Sequence, residues 1–100
     1  MTDLSQKNQS PWVSFCMSTY KRPAMLREQI HVILQQTFKD FEIVISDNDP
    51  ESELATMINE FNDSRIRYAV NEVNLGMVKS FNRSLQRARG EFIVMITDDD

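Results

Sequence analysis

Asp98, Asp99 and Asp100 stand side by side directly after the apolar run Phe92–Ile96 and Thr97. Adjacent carboxylates repel one another, and at the mouth of a buried strand that repulsion is poorly screened. A divalent cation relieves it. Carboxylate oxygens are hard donors, so Mg2+ or Mn2+ is the natural choice, often shared with a diphosphate. A cation in that position can act as a Lewis acid on a departing nucleoside diphosphate. The competing reading of the triplet is a solvated acidic turn. No EF-hand spacing accompanies it, which argues against structural calcium.

Asp47 is the second candidate. It follows the apolar run Ile43–Ile45 and precedes Asn48, Asp49 and Pro50. At a strand end its carboxylate could accept a hydrogen bond from a ligand N–H, or serve as an ordinary turn carboxylate. Asp49 reads as a helix N-cap, with Pro50 as the first helical residue. Lys21 and Arg22 could contact phosphates or remain solvated loop charges. Tyr20 could stack on a base or simply pack. Gly76 is isolated, and neither a Walker pattern nor G-x-G-x-x-G occurs. Cys16 lies in an apolar run and reads as a buried core thiol. His31, the only histidine, reads as solvated on a helix flank.

The elements that must hold these residues are legible from hydrophobic period. Val13–Ser18 reads as a buried strand between Pro11 and Lys21-Arg22-Pro23. Pro23 opens a helix, where its missing N–H costs nothing. Leu26, Ile30, Ile33 and Leu34 form one apolar face of that helix. Phe41–Ser46 reads as a strand buried on both faces, as in parallel sheets. Leu54, Met57, Ile58 and Phe61 mark a second amphipathic helix. Arg65–Val70 alternates, placing Ile66, Tyr68 and Val70 opposite Arg65, Arg67 and Ala69, as in a half-exposed edge strand. After an Asn71–Gly76 loop, Val78, Phe81, Leu85 and Ala88 mark one side of a third helix, which Gly90 ends. Phe92–Ile96 is a further, wholly apolar strand.

The order β-α-β-α-β-α-β predicts a parallel sheet covered by helices, with right-handed crossovers. In such sheets ligands bind beyond the carboxyl ends of the strands. Residues 19–22, 47–49, 71–76 and 98–100 all fall at those ends, so the polar chemistry is expected along one edge. Neighbouring strands lie about 4.8 Å apart, close enough for carboxylates of two or three strands to meet one small ligand.

Composition bounds the rest. The 100 residues allow one small domain, and the net charge of -4 argues against nonspecific nucleic-acid binding. One cysteine excludes an internal disulfide and fits a reducing compartment. Residues 1–10 lack the basic and apolar regions of a signal peptide, and no apolar run approaches the roughly 20 residues of a membrane span. A cytoplasmic location is expected, peripheral at most to the inner face of a membrane. Residues 1–11 read as a flexible leader and 12–100 as the N-terminal portion of a longer domain.

From about Val13 to Asp100 the chain resembles the family-two glycosyltransferases, which have the GT-A fold. The resemblance is carried by Val13-Ser14-Phe15-Cys16-Met17-Ser18-Thr19-Tyr20-Lys21-Arg22-Pro23 and by residues 34–48, where Gln35-Gln36-Thr37-Phe38 precedes Phe41-Glu42-Ile43-Val44-Ile45-Ser46-Asp47-Asn48. It continues through Asn74-Leu75-Gly76, Asn82, Ala88-Arg89-Gly90-Glu91-Phe92-Ile93 and the Asp triplet. It implies a Rossmann-like three-layer αβα arrangement with a mainly parallel sheet, the nucleotide-binding half of that fold. It implies that Thr19 and Tyr20 line a nucleotide pocket, to which the residue reading adds Arg22 as a nucleotide contact, and that Asp47 accepts the ring N–H of a pyrimidine such as uracil. It places the triplet at the family's D-x-D region, with Asp98 toward the ribose and Asp99 or Asp100 on Mn2+ or Mg2+.

The implied reaction moves a sugar from a nucleotide-diphosphate donor, UDP-sugar favoured, to a hydroxyl of a saccharide or lipid-linked acceptor, with inversion. It needs a general base, which in the family lies downstream of the D-x-D segment, so this chain alone is expected to bind donor and metal without turnover. Thr97 stands where many members carry the first Asp, Lys21 replaces a frequent Asn, and Phe81 a frequent basic residue. The rival readings are a Mg2+-binding regulatory module of receiver type and a nucleotidyltransferase. The first places its acidic pair after the first strand, where Thr19-Tyr20 stand here. The second carries a glycine-rich basic loop there.

Overall fold

The computed structural model describes residues 11–97. It contains β1 (Val13–Thr19), α1 (Pro23–Gln35), β2 (Phe41–Asp47), α2 (Ala55–Glu60), β3 (Ile66–Val70), α3 (Met77–Arg87) and β4 (Phe92–Ile96). The strands form one sheet in the order β3-β2-β1-β4, and each pairing is parallel. Thus β2 and β1 are central, and every residue of β2 is buried. The leader and the Asp triplet fall on residues outside those described, Pro11 excepted.

The two faces of the sheet differ in chemistry. One carries Met17, Phe41, Ile43 and Ile45, which pack with Leu26, Ile30 and Ile33 of α1 and Met57 and Ile58 of α2. This is the apolar core, and each such side chain contributes about 1.5–3 kcal/mol on burial. Both helices present the stripes that their sequence periods predict. The opposite face carries Ser14, Cys16 and Ser18 of β1 with Glu42 and Ser46 of β2, all buried. α3 lies against it.

α3 reverses the expectation about its packing. Its buried residues are Ser80 and Ser84, whereas Val78 is 75% exposed and Leu85 36%. Small hydroxyl side chains let the helix lie close to a polar sheet face and bond to it. Ser18 Oγ donates to Ser80 Oγ at 2.7 Å, and Cys16 Sγ lies 3.9 Å from the Ser84 carbonyl. Val78 and Leu85 face out, while Phe81 is half-buried in a cleft beside β4.

Three further expectations are corrected. The second helix begins at Ala55, with Leu54 at its N-cap. Asp49 does not cap it; its carboxylate accepts from the Glu51 N–H and closes a local turn. Gly90 does not end α3, which stops at Arg87. It instead permits a close approach, because a Cβ there would sit 2.7 Å from the Ser14 nitrogen. Finally, β4 is a sheet edge among the described residues, with Phe92, Ile93, Val94 and Met95 all exposed, in place of the expected buried strand.

Candidate functional site at the carboxyl edge of the sheet

Parallel pairing brings the strand ends together. Thr19 and Asp47 are direct register partners across β1 and β2, and Asp47 pairs with Val70 of β3. On the other side Met17 pairs with Ile96, so Thr97 leaves the sheet at this same edge. The Thr97 carbonyl accepts from Gln29 Nε2 of α1 at 2.7 Å, which anchors the chain just before the Asp triplet. Asp98, Asp99 and Asp100 themselves lie outside the described residues.

Thr19 is fully buried, and its Oγ1 has no hydrogen-bond partner. A buried hydroxyl without a partner is costly, and this one adjoins the most buried carboxylate of the edge. Asp47 is also fully buried. Its Oδ1 accepts from the Asp49 N–H at 3.1 Å, and its Oδ2 from the Tyr68 hydroxyl at 2.5 Å. Burial, and then the Asp47 carboxylate on its hydroxyl, push the Tyr68 pKa well above its ordinary value, so Tyr68 stays a protonated donor at neutral pH. Tyr68 and Ser52 Oγ are also 3.1 Å apart. The carboxylate singled out by the sequence is therefore already held by two donors of its own chain.

Tyr20, Lys21 and Arg22 form the exposed loop between β1 and α1. Lys21 adopts a left-handed backbone (φ 56) and places its ammonium 5.4 Å from the Tyr20 ring. A lysine in that conformation is uncommon and strained. The Arg22 carbonyl accepts from the Leu26 N–H, so the loop leads straight into the first turn of α1.

Asn48 is a member of the site whose role the sequence did not disclose. It is buried and joins three segments. Its backbone N–H donates to the Thr19 carbonyl. Its Nδ2 donates to Asn74 Oδ1 at 2.6 Å, while its Oδ1 accepts from Leu75 N–H at 2.8 Å and from Asn71 Nδ2 at 3.2 Å. Asn74 in turn accepts from Gly76 N–H. Gly76 sits at φ +84 as the N-cap of α3, a conformation that favours glycine. The cluster of asparagines at 48, 71 and 74 was the available cue, since each falls at a strand end or in the loop that follows one.

Beside this network a cleft of about 470 Å3 opens between α3 and β4, lined in part by Ser18, Met77, Phe81, Asn82, Ile96 and Thr97. It receives the apolar side of α3. The fully buried Asp47 does not line it. Among the described residues no group of three His, Cys, Asp or Glu side chains gathers as a metal site, and no helix is long and apolar enough to cross a membrane.

On the far side of the sheet a second buried carboxylate is fully satisfied. Glu42 accepts from Ser14 Oγ at 2.6 Å, Arg67 at 2.8 Å and the Arg89 N–H at 2.7 Å. Burial alone would raise its pKa. The three hydrogen bonds and the Arg67 charge outweigh burial and hold the carboxyl below its ordinary value. Arg67 also donates to the Arg87 carbonyl, so Glu42 and Arg67 fasten β2, β3 and the end of α3 together. This cluster is structural and lies away from the carboxyl edge.

Comparison with known proteins agrees with this arrangement. Residues 14–100 match the family described as glycosyl transferase family 2. An uncharacterized glycosyltransferase of Methanocaldococcus jannaschii is 39% identical over 94 residues, covering 90% of this chain and 32% of that protein. A GalNAc(5)-diNAcBac-PP-undecaprenol beta-1,3-glucosyltransferase of Campylobacter jejuni is 32% identical over 93 residues, covering 90% of this chain and 30% of that one. The chain spans about a third of the length of these curated relatives. The crystal structure of S. aureus TarS 1-349 superposes with a TM-score of 0.79 at 24% identity, over 89% of this chain and 28% of that one, which establishes the shared fold. With a sheet of that fold, its polar residues at the carboxyl edge and a family match over nearly all its length, the chain belongs to glycosyl transferase family 2.

Proposed function

We propose that this chain supplies the donor site of a glycosyltransferase that moves a sugar from a nucleotide-diphosphate donor, a UDP-sugar by preference, to an acceptor hydroxyl with inversion. The observation that carries this reading is the register pairing of Thr19 with Asp47 at the edge where Thr97 also exits. In this reading Thr19 and Tyr20 line the nucleotide pocket, Asp47 accepts the pyrimidine ring N–H, Arg22 faces the phosphates and Asp98 the ribose. Asp99 and Asp100 are the donors for Mn2+ or Mg2+, since their hard oxygens suit either ion. A cation held there neutralises charge on the diphosphate. The general base lies outside these residues.

The acceptor in this reading is a lipid-linked saccharide, as the name of the Campylobacter relative describes for that protein, which would place the reaction at the inner face of a membrane. Thermal-shift titration tests the donor site. UDP with Mn2+ is expected to raise the melting temperature, UDP alone to do so less, and Asp99→Ala to remove the metal-dependent part. A folded sample that responds to no nucleoside diphosphate refutes the proposal.

A further inference from the structure

Asp47 has no exposed surface, and both its oxygens are engaged. Its two donors differ in kind. Asp49 N–H belongs to the turn that follows β2, whereas Tyr68 belongs to β3, which is hydrogen-bonded to β2 along its length. The turn over residues 49–52 has no sheet pairing, so a nucleobase that takes a place at Asp47 displaces the Asp49 N–H more readily than the Tyr68 hydroxyl. Once that turn moves, the Asp49 N–H no longer fixes the carboxylate, and the Tyr68 hydroxyl remains. Ser52 Oγ touches the same hydroxyl from the far end of the turn, so one phenol links the fixed and the movable parts of the pocket.

We propose that Tyr68 is the positioning residue that aligns the Asp47 carboxylate for a pyrimidine ring N–H and so helps select uracil over cytosine. This rests on the reading of Asp47 as the base acceptor. A carboxylate held as a pure acceptor suits uracil, which offers N3–H, and faces the bare N3 lone pair of cytosine unfavourably. Without the phenol the carboxylate can rotate, and that discrimination weakens.

The test compares UDP and CDP binding, with Mn2+ present, to the unaltered chain, Tyr68→Phe and Asp47→Ala. Tyr68→Phe is expected to weaken UDP about tenfold, the size of one charge-assisted hydrogen bond, and to leave CDP within about twofold. An equal loss for both nucleotides, or no loss, overturns the proposal. If Asp47→Ala binds UDP as the unaltered chain does, the reading of Asp47 itself fails. If Asp47→Ala loses UDP and Tyr68→Phe keeps it, only the role of Tyr68 falls. Should Tyr68→Phe not fold, NMR of the unaltered chain decides. The sequence has two tyrosines, so Tyr20→Phe assigns the Tyr68 hydroxyl proton. Saturating UDP is expected to shift that resonance more than CDP does, and a resonance indifferent to bound UDP overturns the proposal.

Discussion

Two buried carboxylates near opposite ends of β2 have different surroundings. Glu42 points into the polar layer and Asp47 to the other face at the strand end. Glu42 accepts from three donors and is only 3% exposed. Its folded-state pKa is depressed, so the stability it contributes is present above the unfolded value, about 4.3. That stability is lost as pH falls through the folded value. Glu42→Gln is therefore expected to cost about 2 kcal/mol at pH 7 and to flatten the acid limb of a plot of urea-unfolding stability against pH. If the acid limb keeps its slope in the variant, another carboxylate governs it.

At the scale of elements, α3 shows how a helix can pack through its hydroxyls. Ser84→Leu would force a large side chain into a close polar contact and is expected to destabilise by about 1–3 kcal/mol. Val78→Ser, on the exposed stripe, is expected to change stability by no more than about 0.5 kcal/mol. Urea unfolding of the two variants separates them, and the reverse order would mean that the apolar stripe is the packed face. This helix also marks where reading the sequence fell short. Leu26, Ile30 and Ile33 announce α1 by their helical period, and the unbroken apolar run Ile43–Ile45 announces a strand buried on both faces. The buried side of α3 is written in Ser80 and Ser84, which look like solvent-facing residues when only hydrophobicity is followed. The polar layer of Ser14, Ser18, Glu42 and Ser46 is hidden for the same reason. The Asp49-Pro50 pair matches a cap in composition, but an aspartate can close a turn on its own following N–H as readily as it can start a helix. At the candidate site, Thr19 and Asp47 were legible as strand-end residues. The grip of Tyr68 on Asp47 was not, because it depends on register between β2 and β3.

At the scale of the molecule, apolar side chains concentrate along one flank. Phe92, Ile93, Val94 and Met95 are exposed on β4, an edge strand among the described residues, and Met95 shares a cleft with Met77, Val78 and Phe81 of α3. Edge strands of this kind favour pairing with another chain. Met95→Lys is expected to leave stability within about 0.5 kcal/mol and to reduce concentration-dependent self-association, measured by sedimentation velocity. Undiminished association would locate the sticky surface elsewhere.

The placement of β4 beside β1 also governs how the molecule is assembled in time. Val13 and Phe92 are partners, although nearly the whole chain separates them. The β1–β2–β3 portion can form from successive crossovers, but β4 must pair across the longest sequence separation in the described sheet, and long closures slow folding. Of the four described strands, β4 would thus be the last to dock. Among the four described strands, the Asp47–Tyr68 pair can therefore form before the edge that carries Thr97 is in place.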